Sequence, residues 1–474
     1  MRLPQYTLRI INILLMGCVL LGIVSAISLK WWFPEDPIPE DRLFTIRKRG
    51  YLIALTEQNT LNYYIYRGAT MGYQLTLLES LARKLHVRLR IISGNDVARL
   101  YQFLDLKAAD ILAINLPVTR EGRNLVSFSL PLIETRMVLI RNKMESCELN
   151  RLPVIRTLHD FPSDTVYVSM NPFQEPLNQY FIKETHKRAI LKNLPCSQEE
   201  LIRLIAFSKI SYALVHENLA MVYKRQYRNL DVSHVAFPLF SCGWGIPKGS
   251  DSLLTFVNNW ISDIKNRGEL NRIYLNYYAN QRVIHHIFSE HGSINGNKLS
   301  PFDSEIKRYS RRINWDWRLI ASLMYEESNF RQGLISSKNA YGLMQMIPET
   351  AAKFGMDSTS GTSRQILAGI SYLGHLDRII PSEVSDPRER VNFILASYNV
   401  GIGKVLTARE RAKKYGKDPN RWNGSVDYYL LRRSITNPYG HTDSLSGFPI
   451  DYKTEGYVDD IVTRYYHYRN LIPY

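Results

Sequence analysis

Cysteine is scarce. The chain has four, Cys18, Cys147, Cys196 and Cys242, among 474 residues. Cys18 lies in an apolar N-terminal run, so the other three allow at most one disulfide. No CxxC pair and no His-rich spacing occurs, which argues against a bound metal, and nothing else calls for a cofactor. Low-complexity tracts are absent too; 45% hydrophobic and 22% charged residues is the composition of globular domains. Acidic residues are outnumbered, 44 against 60 Lys and Arg, for a net charge of +16. That excess suits an anionic polymer or lipid headgroups. The basic residues are spread along the chain without zinc-finger or RNP spacing, which argues against nucleic acid.

What is present starts at the N-terminus. Arg2 and Arg9 precede an apolar run, Ile10 to Leu29, interrupted by Asn12, Ser25 and Ser28. About 20 apolar residues span a bilayer as a helix. The aromatic Trp31–Phe33 follows, then Glu35, Asp36, Glu40 and Asp41. Positive before and negative after predicts the N-terminus inside and the rest outside. Three readings stay open for residues 1–32: an uncleaved anchor, a signal peptide cleaved near Val24–Ala26, and a lipoprotein signal ending at Cys18. All three export the remainder. Residues 33–43 read as a linker. Tyrosine is frequent, at 30, and offers a flat face with a hydroxyl, suited to packing or to sugar.

Residues 44–280 alternate strand and helix patterns. Tyr51–Leu55, Val87–Ile92 and Ala109–Leu116 read as strands; Tyr73–Leu85 carries Leu75, Leu78, Leu81 and Leu85 at helical spacing. Such units predict an α/β domain with a parallel sheet. The order KRGYLIAL, MGYQLTLLESLARKL, LKAADILAINLPVTREGRNLVSFSLPL, and later RGELNRIYLNYY resembles the type 2 periplasmic solute-binding proteins. That resemblance implies a two-lobed fold and a small amino-acid or muropeptide ligand. It also implies an arginine clamp on a ligand carboxylate, with Arg123 the nearest match and Arg120 the alternative. Glu217 falls where such proteins bind an amine.

Residues 281–302, including the polar Ser293–Leu299, read as a second linker, and 303–474 are helical in pattern. Trp317, Ile320, Leu323, Met324 and Glu327 share one helix face. Glu326 sits ~100° round. A carboxyl on an apolar face resists ionisation and can donate a proton. Asn339 is tolerant of left-handed backbone angles. Glu349 follows Pro348 in a helix's first turn.

EESNF, SSKNAYGLMQMIPETA, LASYNVGIGKV and EGYVDDI, in this order, resemble the soluble lytic transglycosylase, goose-type lysozyme-like, catalytic domain. With the preceding segments, the architecture resembles membrane-bound lytic murein transglycosylases. The resemblance implies a mainly α lysozyme-like domain after the solute-binding one and a catalytic Glu327. It implies substrate contacts from Ser328, Ser336, Gln345, Tyr398, Asn399 and Tyr457. The implied reaction cleaves the N-acetylmuramic acid to N-acetylglucosamine bond with closure of a 1,6-anhydro ring, and the partner is peptidoglycan. The family implies the outer membrane and the periplasm; a stable N-terminal helix implies the inner membrane.

Overall fold

The structure, a computed structural model, describes residues 41–94, 96–143, 158–161, 163–288, 298–431 and 452–472. The apolar N-terminal run with Cys18, the aromatic Trp31–Phe33, Cys147 and most of Ser293–Leu299 lie outside the described residues. Among the described residues no helix is long and apolar enough to cross a membrane. Cys196 and Cys242 are free thiols.

Among the described residues the first half is built on eleven strands: β1 (Tyr51–Glu57), β2 (Tyr64–Tyr66), β3 (Ala69–Met71), β4 (Arg88–Gly94), β5 (Ile111–Pro117), β6 (Ser127–Phe128), β7 (Ile133–Asn142), β8 (Asp164–Ser169), β9 (Ala189–Leu194), β10 (Tyr212–His216) and β11 (Leu230–Ile246). The main sheet runs β4-β1-β5-β11-β7-β10-β8-β9, with β6 beside β11. β1 is parallel to β4 and β5, and β8 to β9 and β10, as the strand–helix alternation predicts. At the centre the expectation fails. The 17-residue β11 runs antiparallel to both β5 and β7, so one long strand serves both lobes.

Helix Tyr73–Leu85 forms where the leucine spacing predicts, and Leu75, Leu78, Leu81 and Leu85 are all buried. Its capping His86 takes a left-handed φ of 57°. The expected linker after Asn280 begins with a helix, Gln281–Phe288, whose amphipathic pattern packs Phe288 edge-on against Tyr223 at 5.0 Å.

The C-terminal part is helical among its described residues. Helix Trp317–Ser328 starts at Asp316, whose carboxylate accepts from the Arg318 amide at 3.0 Å. Trp317, Ile320, Leu323 and Met324 are buried along one stripe, as the spacing predicts. The C-terminal helix, Tyr452–Leu471, packs beside it; the Ser322 hydroxyl donates to Ile461 O at 2.7 Å. That helix also meets the first domain. Tyr468 donates to Gly68 O at 2.7 Å, Asn470 donates to Ile91 O at 2.8 Å, and the Tyr63 hydroxyl lies 2.6 Å from His467 Nδ1.

Candidate active site

Glu327 is the penultimate residue of its helix, which ends as Asn329 (φ 49°) and Phe330 (φ 59°) turn left-handed. The following loop folds back on itself. Asn339 takes φ 58°, as its residue type allows, and the Ser336 hydroxyl accepts from the amides of Lys338 and Ala340. Gly342 is required by contact and conformation: its φ is 83°, and a Cβ there would lie 2.5 Å from Gln365 Oε1. Gln365 Oε1 accepts from Leu343 N at 3.0 Å, tying the loop to helix Thr362–Ile379.

The loop and helix Pro387–Val400 enclose an open cleft of about 370 Å³. Glu327, Ser336, Gln345, Tyr398 and Asn399 all line it, and among the described residues Glu327 is its only carboxylate. Gln345 spends its amide nitrogen on Leu334 O and Gly342 O, both at 2.9 Å, so its side-chain oxygen is the group left for a ligand. Tyr398 donates to Met344 O at 2.7 Å and leans on Tyr372, ring centroids 5.2 Å apart. Ser397, where the family pattern has alanine, is buried and satisfied by Phe393 O at 2.7 Å. Sequence reasoning missed Tyr372, Lys338 and Thr350 in the lining. Tyr372 sits beside Tyr398 only through packing of two helices, which leaves no local signal.

From the C-terminal helix, Tyr457 donates its hydroxyl to Glu327 Oε1. Burial pushes the Glu327 carboxyl up to about 7; the bond from Tyr457 opposes this and the charge of Glu326 adds to it. Glu326 faces elsewhere, paired with Arg464 at 2.9 Å. Ser328 is 2% exposed, and its hydroxyl donates to Leu343 O at 2.8 Å and Met324 O at 3.1 Å. One helical step past Glu327 turns it into the core, where it fastens the loop.

In the first domain a second cleft lies between the lobes. It is lined by Glu57, Asn62, Glu199, His216, Asn218 and Tyr278 among others, with no Lys or Arg among the described residues. The expected ligand contacts are elsewhere. Arg120 and Arg123 are exposed, because between them Gly122 is buried against Phe128 and its amide is held by Thr119 Oγ1 at 3.0 Å. Glu217 pairs with Arg136 at 3.1 Å, while its neighbours His216 and Asn218 face the cleft. Glu57, at the carboxyl end of β1, was findable: ligands of open α/β sheets gather at such strand ends.

A family model for the transglycosylase SLT domain matches residues 304–420, and one for bacterial extracellular solute-binding proteins, family 3, matches 52–280. A membrane-bound lytic murein transglycosylase F of Desulfosudis oleivorans is 30% identical over 454 residues, covering 94% of this chain and 96% of that protein. The chain belongs to the membrane-bound lytic murein transglycosylase F family. Another member, from Marinobacter nauticus, is 26% identical over 445 residues, covering 89% of this chain and 82% of its own. A crystal structure of an ancestral amino acid-binding protein, a precursor of cyclohexadienyl dehydratase, aligns over 50% of this chain and 99% of its own, at 20% identity and a TM-score of 0.43. Like its family, the protein is a lytic transglycosylase that cleaves peptidoglycan and carries an N-terminal solute-binding-like domain.

Proposed function

We propose that Glu327 is the single acid and base of the transglycosylase reaction. The observation that carries this reading is its solitude: among the described residues one carboxyl lines the cleft, and burial raises its pKa to about 7. Glycosidases that use water or a covalent intermediate pair two carboxylates across the bond. Here Glu326 is engaged by Arg464 away from the cleft. Tyr457 occupies Oε1 of Glu327, which leaves Oε2 to hold the proton.

In the first step Glu327 protonates the bridging oxygen between N-acetylmuramic acid and N-acetylglucosamine, and that C1–O bond breaks. The substrate's own N-acetyl group steadies the cation at C1. Glu327, now ionised, takes the proton of the C6 hydroxyl, whose oxygen bonds to C1 and closes the 1,6-anhydro ring. An intramolecular nucleophile carries a high effective concentration, which replaces the second carboxylate. Ser336, Gln345, Tyr398 and Asn399 border the same cleft and offer donors and acceptors to sugar hydroxyl and N-acetyl groups. Tyr457 positions Glu327. Residues 44–280 form the solute-binding unit and 303–474 the catalytic one. Residues 1–32 hold the chain at a membrane with both units facing the periplasm, where the substrate lies.

The test is product release from purified peptidoglycan by wild type and by Glu327→Gln. General acid–base groups contribute about 10²–10⁴-fold, so the variant is expected to lose at least about 10²-fold. Equal release by both proteins would remove Glu327 from the chemistry.

A further inference from the structure

The cleft between the lobes of the first domain carries its own chemistry. Among the described residues its two carboxyls are Glu57 from one lobe and Glu199 from the other; burial pushes both up, Glu57 to about 7, and a cation between them would favour their ionised forms. Glu199, 2% exposed, is already partnered: both its oxygens accept from the Thr60 amide at 3.0 Å, and the Thr60 hydroxyl bonds it as well. Among the described residues Glu57 accepts from the Asn59 side-chain amide alone, at 3.4 Å. Three further polar atoms in the lining are buried without a partner among the described residues: Asn62 Oδ1, His216 Nε2 and Asn218 Nδ2. Asn62 is 5% exposed and His216 7%. Buried polar atoms left unpaired cost stability unless a ligand supplies the missing bonds. Asn218 is fixed in orientation, since its Oδ1 accepts from Thr135 Oγ1 and Leu219 N.

Among the described residues no Lys or Arg lines this space. Burial pushes the His216 ring down to about 4, so it is neutral. Arg203, whose charge acts on Glu199, is held by Glu200 at 2.7 Å and is not in the lining. A ligand carboxylate would therefore meet two acidic groups and no counter-charge. The free space is about 40 Å³, which admits only a small head group.

Resting on the reading of this domain as a solute-binding unit, we infer that the cleft takes a small primary ammonium ion bearing a neutral polar group and no carboxylate. The ammonium donates to Glu57 and Asn62 Oδ1. A neutral carbonyl or hydroxyl on the ligand accepts from Asn218 Nδ2, with His216 beside it. This reverses the arginine-clamp chemistry that Arg120 and Arg123 were expected to supply.

The experiment is calorimetric titration of the purified full chain with three matched probes: L-alaninamide, L-alanine and N-acetyl-L-alanine. Alaninamide is expected to bind at one saturable site, alanine at least about tenfold more weakly, and N-acetylalanine not at all. Glu57→Gln, checked for an unchanged melting curve without ligand, is expected to weaken alaninamide at least about tenfold. The probe series on wild type needs no variant to fold. N-acetylalanine binding as tightly as alaninamide, or alaninamide unaffected by a folded Glu57→Gln, overturns the ligand class alone. Silence from all three probes overturns both the ligand class and the solute-binding reading.

Discussion

The hydroxyl of Tyr457 donates to Oε1 of Glu327 across 130 residues of chain. This bond favours the ionised carboxyl, while burial favours the protonated one and wins, leaving the group at about 7. Removing the bond in Tyr457→Phe should raise the Glu327 pKa further. A hydrogen bond to a charged group contributes about 1.5–3 kcal/mol, so the alkaline limb of the rate–pH profile should move up by about one unit. The maximal rate should fall as Glu327 loses its orientation. An unmoved limb would show that Tyr457 is only packing.

Glu326 is the contrasting neighbour. Its charge raises the Glu327 pKa, and Arg464 holds it outside the cleft at 2.9 Å. Glu326→Gln should keep the rate within about threefold and shift the alkaline limb slightly down. A loss as large as that from Glu327→Gln would mean that the roles are exchanged.

The raised pKa of Glu327 also sets a pH dependence of stability. Its folded value lies above the ordinary 4.5, so between about 4.5 and 7 the folded chain holds more protons here than the unfolded one. Stability from this group is full below 4.5 and lost as pH rises through about 7. Glu327→Gln has no such loss. Calorimetric melting at about pH 8 should show the variant more stable than wild type by on the order of 2 kcal/mol, the gap closing toward about pH 4.

Ser328→Ala separates fastening from ligand contact. The hydroxyl bonds Leu343 O at 2.8 Å inside the core. Its loss should cost about 1–2 kcal/mol in a melt. Well below the melting temperature, KM for glycan should stay near wild type. A raised KM with unchanged melting would restore a substrate contact.

Gly68 closes the contact between domains. A Cβ there would come within 2.5 Å of Phe330 and 2.6 Å of Tyr325, at a φ of 82°. Those two rings flank the helix end that carries Glu327. Gly68→Val should lower stability by about 2 kcal/mol and reduce glycan cleavage without touching the cleft. Full activity in a destabilised variant would show that the helix end does not feel the contact.

Local pattern put Glu327 on the buried face, because the apolar stripe from Trp317 through Met324 leads to it, and the family resemblance gave it the catalytic role. Helix Tyr73–Leu85 was legible for the same reason. Tyr457 entered only through resemblance; nothing local joins two residues so far apart. Ser328 also came from the resemblance, and lies in the core because adjacency in sequence is a turn of ~100° in a helix. Arg120 and Arg123 came from the resemblance as well, and both lie exposed beside the buried Gly122, which no local pattern marked. The carboxylates of the lobe cleft escaped notice because Thr60 and Glu199 meet only after folding, 139 residues apart.

The central claim is that one carboxyl works with the substrate's own hydroxyl and no water enters. Peptidoglycan digested in heavy-oxygen water, with the products weighed by mass spectrometry, tests this directly. The expected products are anhydro-muropeptides, one water lighter than hydrolysis products, carrying no solvent oxygen and absent with Glu327→Gln. Labelled, full-mass muropeptides from wild type would contradict it and make the reaction a hydrolysis.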